Sequence, residues 1–167
     1  EDELSYNECI RLQHVFRAEA TGNASALIRH IRMIKTPWEI EQMRISARRH
    51  EAVYREIPAC YRPGMRDVEL QIEIEKRMRM HGSLGYFRAF GSNMDIFMGS
   101  LLAGENAGEP SPFDFALGGK GIHASGPLGA NGTLLREGTT VMADMSGNYT
   151  AYQTDMTRVF SIGKLPD

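Results

Sequence analysis

The feature that most constrains the fold of this chain lies near its C-terminal end, where two short runs of strand-forming residues flank a turn. The first run (TVMAD) ends in Asp144, and the second (DMTRVF) begins with Asp155. Branched and aromatic side chains of this kind are typical of strands. Gly147 and Asn148 lie between the runs and favour a hairpin turn. The two runs therefore predict a pair of antiparallel strands.

The register of these strands decides where the two carboxyl groups lie. A two-residue loop at the Gly-Asn turn would put Asp144 opposite Ala151, whereas a longer loop centred on residues 149–150 would put it opposite Asp155. Side chains alternate between the two faces of a strand, so either register leaves both aspartates on the same face. The sequence therefore predicts two neighbouring carboxylates on one side of the hairpin.

Two ionised carboxylates at this distance repel each other, at a cost on the order of 1 kcal/mol that grows as water is excluded. A proton shared between them, a salt bridge to Arg158 or Lys120, or bound divalent cations would each offset the repulsion. Carboxylate oxygens are the ligands that hard cations prefer. Alternatively, the two aspartates are simply solvated on an exposed face of the sheet. The spacing alone leaves these alternatives open.

The residues around this pair resemble the metal-binding hairpin of the M24 metallopeptidase family. That family includes Xaa-Pro aminopeptidases, prolidases, methionine aminopeptidases and the metal-free creatinases. Its pattern is an apolar strand ending in Asp, a Gly-containing turn, a Tyr, and a second Asp followed by a Thr-Arg pair, with the aspartates eleven residues apart. The run VMADMSGNYTAYQTDMTRVFSIG matches this pattern, with Tyr152 at the aromatic position and Thr157 and Arg158 after the second aspartate.

A second stretch, residues 33–40 (MIKTPWEI), is similar to the start of the catalytic domain in the creatinase and Xaa-Pro peptidase branch. The resemblance implies that residues 1–35 are the end of an N-terminal domain with its linker, and that residues 36–167 are the first half of a truncated catalytic domain. It also implies the first half of the pita-bread fold, an α+β arrangement of helices on a curved, mainly antiparallel sheet. A missing second half would leave apolar surface uncovered, so we expect a homodimer or larger assembly.

The same resemblance implies a functional site. Family members hold two divalent metal ions (Mn, Co or Zn) through five ligands in the order Asp, Asp, His, Glu, Glu, and Asp144 and Asp155 match the first two. His123 matches, with a longer spacing, a histidine that stabilises the tetrahedral intermediate in the family. The remaining three ligands would lie beyond Asp167, so we expect the chain by itself to be an inactive fragment.

The activity implied for the intact enzyme is metal-dependent hydrolysis of an N-terminal peptide bond, with Xaa-Pro peptides as substrates. Metal ions supply such a reaction with hydroxide near neutral pH. Two alternatives are a non-catalytic M24-like module that binds peptides or partners, and a metal-free creatinase-like amidinohydrolase. The presence of both aspartates argues against the second alternative, because that chemistry does not need them.

Composition argues against other classes of function. The 19 basic and 21 acidic residues give a net charge of −2, so we expect no binding to nucleic acid and no attraction to anionic membranes. No apolar run approaches the roughly 20 residues that span a bilayer. Cys9 and Cys60 suggest no disulfide framework, which predicts a reducing, cytoplasmic location. The run GGKG at residues 118–121 lacks the Ser or Thr of a phosphate-binding loop.

Helices are predicted upstream of the hairpin. Apolar spacing predicts a short helix over residues 5–16. The run TPWE at residues 36–39 combines an N-cap, a proline at the first helical position and a glutamate three residues after the cap, so a long helix should begin there and end or kink at Pro58. Apolar residues four apart predict another helix from about residue 67 to residue 80. The glycine-rich residues 83–119 predict short strands and loops.

Overall fold

Four helices and two antiparallel sheets make up the described part of the chain, which in this computed structural model is residues 4–88, 95–96, 98–110 and 118–165. The helices are α1 (Tyr6–Phe16), α2 (Ser25–Met33), α3 (Pro37–Cys60) and α4 (Asp67–Met80). The strands are β1 (Phe87–Arg88), β2 (Asp95–Ile96), β3 (Gly99–Ala103), β4 (Thr140–Gly147) and β5 (Thr154–Ser161), and a short 3-10 helix (Gly104–Gly108) follows β3. Strands β1 and β2 pair with each other, and the second sheet has the order β3-β4-β5. The predicted α+β class is confirmed.

Helix α3 begins at the capping residues that the sequence predicts. The hydroxyl of Thr36 accepts a hydrogen bond from the backbone N–H of Glu39 (3.3 Å), and the Glu39 carboxylate accepts one from the N–H of Thr36 (2.7 Å). This reciprocal pair satisfies N–H groups that the first helical turn leaves free. The helix continues through Pro58 and ends at Cys60. Proline removes one helical hydrogen bond, and at this position only two helical residues follow it.

The other helices test the sequence predictions in different ways. Helix α1 starts one residue later than predicted, and α4 spans the predicted residues. Helix α2 was not predicted. It has only nine residues and no side-chain cap, and its apolar side chains Leu27 and Ile31, although four residues apart, are more than 60 % exposed.

The sheet of β3, β4 and β5 packs one face against α3 and α4. The buried side chains on this face include Leu101, Ala143 and Met145, which join residues of both helices in one core. The members contributed by the helices are Val53, Tyr54, Ile57, Cys60, Leu70, Ile74 and Met78. Because side chains alternate along a strand, the residues between the buried ones project to the opposite face. That opposite face carries both aspartates of the predicted site.

The hairpin of β4 and β5 has a different register from either one predicted. Asp144 pairs with Thr157, and Ser146 pairs with Asp155, so the connection is the six residues 148–153. Gly147 is the last residue of β4 rather than part of a tight turn. Both predicted registers were therefore wrong, although their shared consequence, two aspartates on one face, is confirmed.

Contacts with α3 explain why the connection is long. The Tyr152 hydroxyl donates to the Glu39 carboxylate (2.9 Å), and the ring of Tyr152 meets Trp38 edge to face at 6.0 Å between centroids. Thr150 donates its hydroxyl proton to the carbonyl oxygen of Gln42 (3.4 Å). The loop is thus attached along the helix, and these tertiary contacts outweigh the local turn preference of the Gly-Asn pair.

Candidate metal centre

The candidate centre is the face of the sheet that carries Asp144 and Asp155. With Asp144 opposite Thr157 and Asp155 opposite Ser146, the two aspartates are diagonal neighbours on adjacent strands. Diagonal pairs of this kind lie about 7–8 Å apart at the backbone, within reach of side chains that lean toward each other. Asp144 is half-buried and Asp155 is exposed, so both carboxylates are open to a ligand that arrives from solvent.

Neither predicted salt bridge forms. Arg158 pairs with Ala143 on the helix-packed face of the sheet, and its guanidinium donates to the backbone oxygen of Thr157 (2.7 Å). Lys120 forms an ion pair with Glu109 instead (2.6 Å). Among the described residues, no cation lies within ion-pair distance of Asp144 or Asp155. The negative charge of the pair is therefore not neutralised by the side chains around it.

The electrostatics of Asp155 reflect this arrangement. Burial of part of its carboxyl group raises its pKa above the ordinary value, and the nearby carboxylate of Asp144 raises the pKa further. Asp144 has a partner of its own, because the Thr157 hydroxyl donates a 2.5 Å hydrogen bond to Oδ1. This bond orients one carboxylate and leaves its other oxygen available.

Tyr54 anchors the two strands from the opposite side. Its hydroxyl accepts a hydrogen bond from the N–H of Met145 (3.1 Å) and contacts the carbonyl oxygens of Ala143 (3.0 Å) and Met156. One buried hydroxyl from α3 thus binds the backbone next to both aspartates. Burial raises the pKa of this phenol, so it stays protonated at neutral pH. No local sequence pattern indicates this role, because the partners of Tyr54 lie about 90 to 100 residues later in the chain.

The residues present fit a hard divalent cation. Two carboxylates supply oxygen ligands, and each faces a serine hydroxyl across the sheet: Ser100 is opposite Asp144, and Ser146 is opposite Asp155. Both serine hydroxyls are buried and have no hydrogen-bond partner within the described chain. Buried polar groups normally have partners, so two free hydroxyls beside two unneutralised carboxylates suit a hydrated cation. No cluster of three or more His, Cys, Asp or Glu occurs among the described residues, so the face offers two charged ligands.

His123 lies elsewhere in the described structure. It belongs to a loop, is exposed, and its Nδ1 accepts a hydrogen bond from the Ser125 N–H (3.1 Å) and contacts the Ser125 hydroxyl (2.8 Å). Its side chain borders a groove of about 350 Å³ between this loop and α4, where Gln71 and Glu75 face it. Neither aspartate is among the described residues that line this groove. The structure therefore places the two aspartates on one sheet face, and His123 borders a groove that they do not line.

Comparison with known proteins gives the family. The model of the metallopeptidase family M24 matches residues 41–167, three quarters of the chain. The chain belongs to the M24 family. The match includes the whole of β4 and β5 and begins within α3, so the predicted domain boundary at residue 35 stays a prediction.

Curated and solved relatives agree with M24 membership. The chain is 26% identical over 146 residues to the probable dipeptidase PepE of Mycobacterium tuberculosis, and the match covers 86% of this chain and 32% of that protein. The X-Pro aminopeptidase of Thermotoga maritima superimposes with a TM-score of 0.74 at 22% identity, covering 99% of this chain and 40% of the other. The prolidase of Pyrococcus horikoshii gives 0.74 at 18% identity, covering 99% and 41%.

These relatives confirm the predicted fold of this M24 chain, which is the first half of the pita-bread fold. The chain spans about a third of the length of the curated relatives and about two fifths of the length of the solved structures. Within the described residues, no helix is both long and apolar enough to cross a membrane.

Proposed function

We propose that this M24 chain is part of a metal-dependent peptidase that hydrolyses the N-terminal peptide bond of Xaa-Pro peptides. The observation that carries the proposal is the pair of unneutralised carboxylates on one sheet face, Asp144 and Asp155, within a hairpin that matches the family pattern. Similar proteins carry the names X-Pro aminopeptidase, Xaa-Pro dipeptidase and prolidase, which favours proline after the scissile bond.

In this proposal Asp144 and Asp155 would hold two divalent cations. When bound, such ions would lower the pKa of a water molecule and supply hydroxide near neutral pH. The hydrogen bond from Thr157 keeps Asp144 in one orientation, and contacts of this kind behind a ligand raise metal affinity. The hydroxyls of Ser100 and Ser146 have no hydrogen-bond partner among the described residues and would be free to donate to water bound by the cations. The identity of the metal, a homodimeric assembly and a cytoplasmic location stay predictions.

Metal binding by the isolated chain is the direct test. Two carboxylates form an open site, so we expect Mn²⁺ to bind with a dissociation constant on the order of a millimolar. Paramagnetic Mn²⁺ should broaden the amide resonances of residues near 144 and 155 first in an NMR titration. Asp144→Ala and Asp155→Ala should each abolish this selective broadening.

The matched control is Glu51→Ala, which removes an exposed carboxylate from α3 and should leave the titration unchanged. Equal broadening in the wild type and in both aspartate variants would refute the metal centre. Repeating the titration with Zn²⁺ and Co²⁺ by calorimetry then ranks the metals.

His123 remains the predicted stabiliser of the developing oxyanion. If it has that role, His123→Ala should lower kcat of the full-length protein on an Xaa-Pro peptide about 100-fold with little change in KM. Ser125→Ala, which removes the neighbouring hydroxyl but keeps the imidazole, is the matched control. An unchanged kcat in His123→Ala would assign this histidine to the groove beside α4 and not to the reaction.

A non-catalytic module that binds peptides is the second candidate. The groove beside α4 favours it, since His123 lines this groove without either aspartate and the groove could accept an extended peptide without any reaction. Binding of an extended peptide with no hydrolysis at any metal concentration would distinguish this function from that of a peptidase.

A further inference from the structure

The two ends of the β4–β5 connection meet at one residue pair. Gly147, the last residue of β4, pairs with Thr154, the first residue of β5. Asp155 directly follows Thr154, so whatever holds this pair in register also decides where Asp155 lies along β4. A shift of two residues keeps the same faces but moves Asp155 by about 7 Å.

A buried histidine of α3 lies against this pair. His50 is fully buried, and its Nδ1 forms a 3.0 Å hydrogen bond with the Thr154 hydroxyl, which in turn lies 3.4 Å from the carbonyl oxygen of Gly147. With the proton of the neutral ring on Nδ1, His50 donates to the Thr154 hydroxyl, and this hydroxyl donates to the Gly147 carbonyl oxygen. Hydrogen bonds then connect three residues from three elements.

The fit around Gly147 has no spare room. A Cβ atom at this position would lie 2.2 Å from the Thr154 hydroxyl oxygen and 2.7 Å from Nδ1 of His50. Both distances are far below van der Waals contact, and a buried ring on a long helix cannot move away cheaply. In the observed register, position 147 therefore accepts only glycine.

The histidine is itself held in place. Its ring meets Tyr54 edge to face with 5.1 Å between centroids, and it packs against Tyr149 at 5.8 Å. Burial lowers the pKa of His50 to about 4, so the ring is neutral at physiological pH and carries no charge into the core. These contacts leave His50 as a rigid, uncharged partner for Thr154.

Two-residue register shifts would destroy this arrangement. One direction would pair Gly147 with Tyr152 and put Asp155 directly opposite Asp144, and the other would pair Gly147 with Met156. Neither side chain can give the short hydrogen bond to His50 that Thr154 gives. The observed register, with the aspartates diagonal to each other, is the one in which the bond exists.

We infer that His50 is a positioning residue of the metal centre, acting through Thr154 and Gly147 to set the spacing between Asp144 and Asp155. The inference rests on the proposed metal-binding function, and it adds a residue from α3 that does not touch the metal. Such supporting contacts commonly change metal affinity 10- to 100-fold when removed.

Thr154 provides a matched pair of variants. Thr154→Val keeps the shape and loses the hydroxyl, whereas Thr154→Ser keeps the hydroxyl and loses a methyl group. We expect Thr154→Val to weaken Mn²⁺ binding at least about tenfold, and Thr154→Ser to stay within about twofold of the wild type. Both folded variants are also examined without metal for cross-strand nuclear Overhauser effects between residues 144 and 157.

The outcomes separate the two proposals. Equal Mn²⁺ affinity in Thr154→Val and Thr154→Ser, with unchanged cross-strand contacts, would overturn the positioning role. If the wild type binds no Mn²⁺, the metal-binding proposal fails, and the cross-strand contacts alone then decide whether Thr154 sets the register. If Thr154→Val does not fold, a second pair of variants replaces it. His50→Asn, whose amide can form a hydrogen bond with the Thr154 hydroxyl, is compared with His50→Leu, which cannot form one. Equal Mn²⁺ affinity and equal cross-strand contacts in these two variants would overturn the positioning role.

Discussion

Asp67→Asn should lower the free energy of unfolding by about 3 kcal/mol, one of the two largest effects that we expect in this protein. Asp67 is fully buried, and its carboxylate accepts hydrogen bonds from the backbone N–H groups of Val68 (2.7 Å), Asn131 (3.0 Å) and Gly132 (2.8 Å). An asparagine keeps one side-chain oxygen but replaces the other with an NH₂ group. This group is a hydrogen-bond donor and would face backbone N–H groups, which are also donors. At least one backbone N–H would then lose its partner in the interior.

Chemical denaturation in urea at pH 7 measures this effect, because the midpoint gives the change in stability when the slope is constant. Glu51→Gln makes the same chemical change on the exposed surface of α3 and should alter stability by less than about 0.5 kcal/mol. A change below about 1 kcal/mol in Asp67→Asn would mean that the loop of residues 131–133 does not depend on this carboxylate.

Acidification should destabilise the wild-type protein through His50, which is the second large effect. The pKa of this ring is about 4 in the folded state and near 6.5 in the unfolded chain. Below pH 6.5 His50 therefore binds a proton in the unfolded state but not in the folded state, and the free energy of unfolding falls as the pH drops toward 4. The full difference corresponds to roughly 3 kcal/mol. Above pH 6.5 both states are neutral at this site, and the effect vanishes.

Urea unfolding at a series of pH values between 7 and 4 tests the sign and size of this effect. His50→Asn removes the titrating group, so its stability should fall less steeply over this range than that of the wild type. His30→Asn, a change at an exposed position of α2, should keep the steep wild-type slope. Parallel curves for His50→Asn and the wild type would show that another group causes the acid sensitivity.

The two predictions have a common structural origin. Asp67 ties a distant loop to the start of α4, and His50 ties the β4–β5 connection to α3. Each is a buried polar side chain whose partners are far away in sequence. Polar contacts inside a core cost free energy when they are left incomplete, so such residues specify one arrangement of the chain over its alternatives.

Local sequence signals were sufficient for the helices that carry clear caps or apolar rows. Thr36 and Glu39 lie three residues apart and satisfy each other, so the start of α3 follows from contacts within one helical turn. Helix α4 has a buried row with helical spacing, Leu70, Ile74 and Met78, and its bounds were predicted correctly. Helix α2 has no side-chain cap and only nine residues, so the four-residue spacing of Leu27 and Ile31 is a weak signal there.

The candidate centre was only partly predictable. The common face of Asp144 and Asp155 follows from the alternation of side chains along strands. It is the same in all registers that differ by an even number of residues. Neither Arg158 nor Lys120 forms an ion pair with the aspartates, because Arg158 donates to the backbone oxygen of Thr157 and Lys120 pairs with Glu109. These contacts are set by the folded chain. Tyr54 and His50 reach the hairpin from a helix about a hundred residues earlier, and no local pattern points to such contacts.

The sequence by itself determined the family, the two aspartates and their common face, and the caps and apolar rows of the long helices. These properties depend on neighbouring residues and on the fixed geometry of strands and helices. Only the tertiary structure decided the register of the hairpin, the partners of the charged side chains and the location of His123. They depend on long-range contacts, above all the packing of α3 against Gly147 and Thr154, whose free energy outweighs local turn preference.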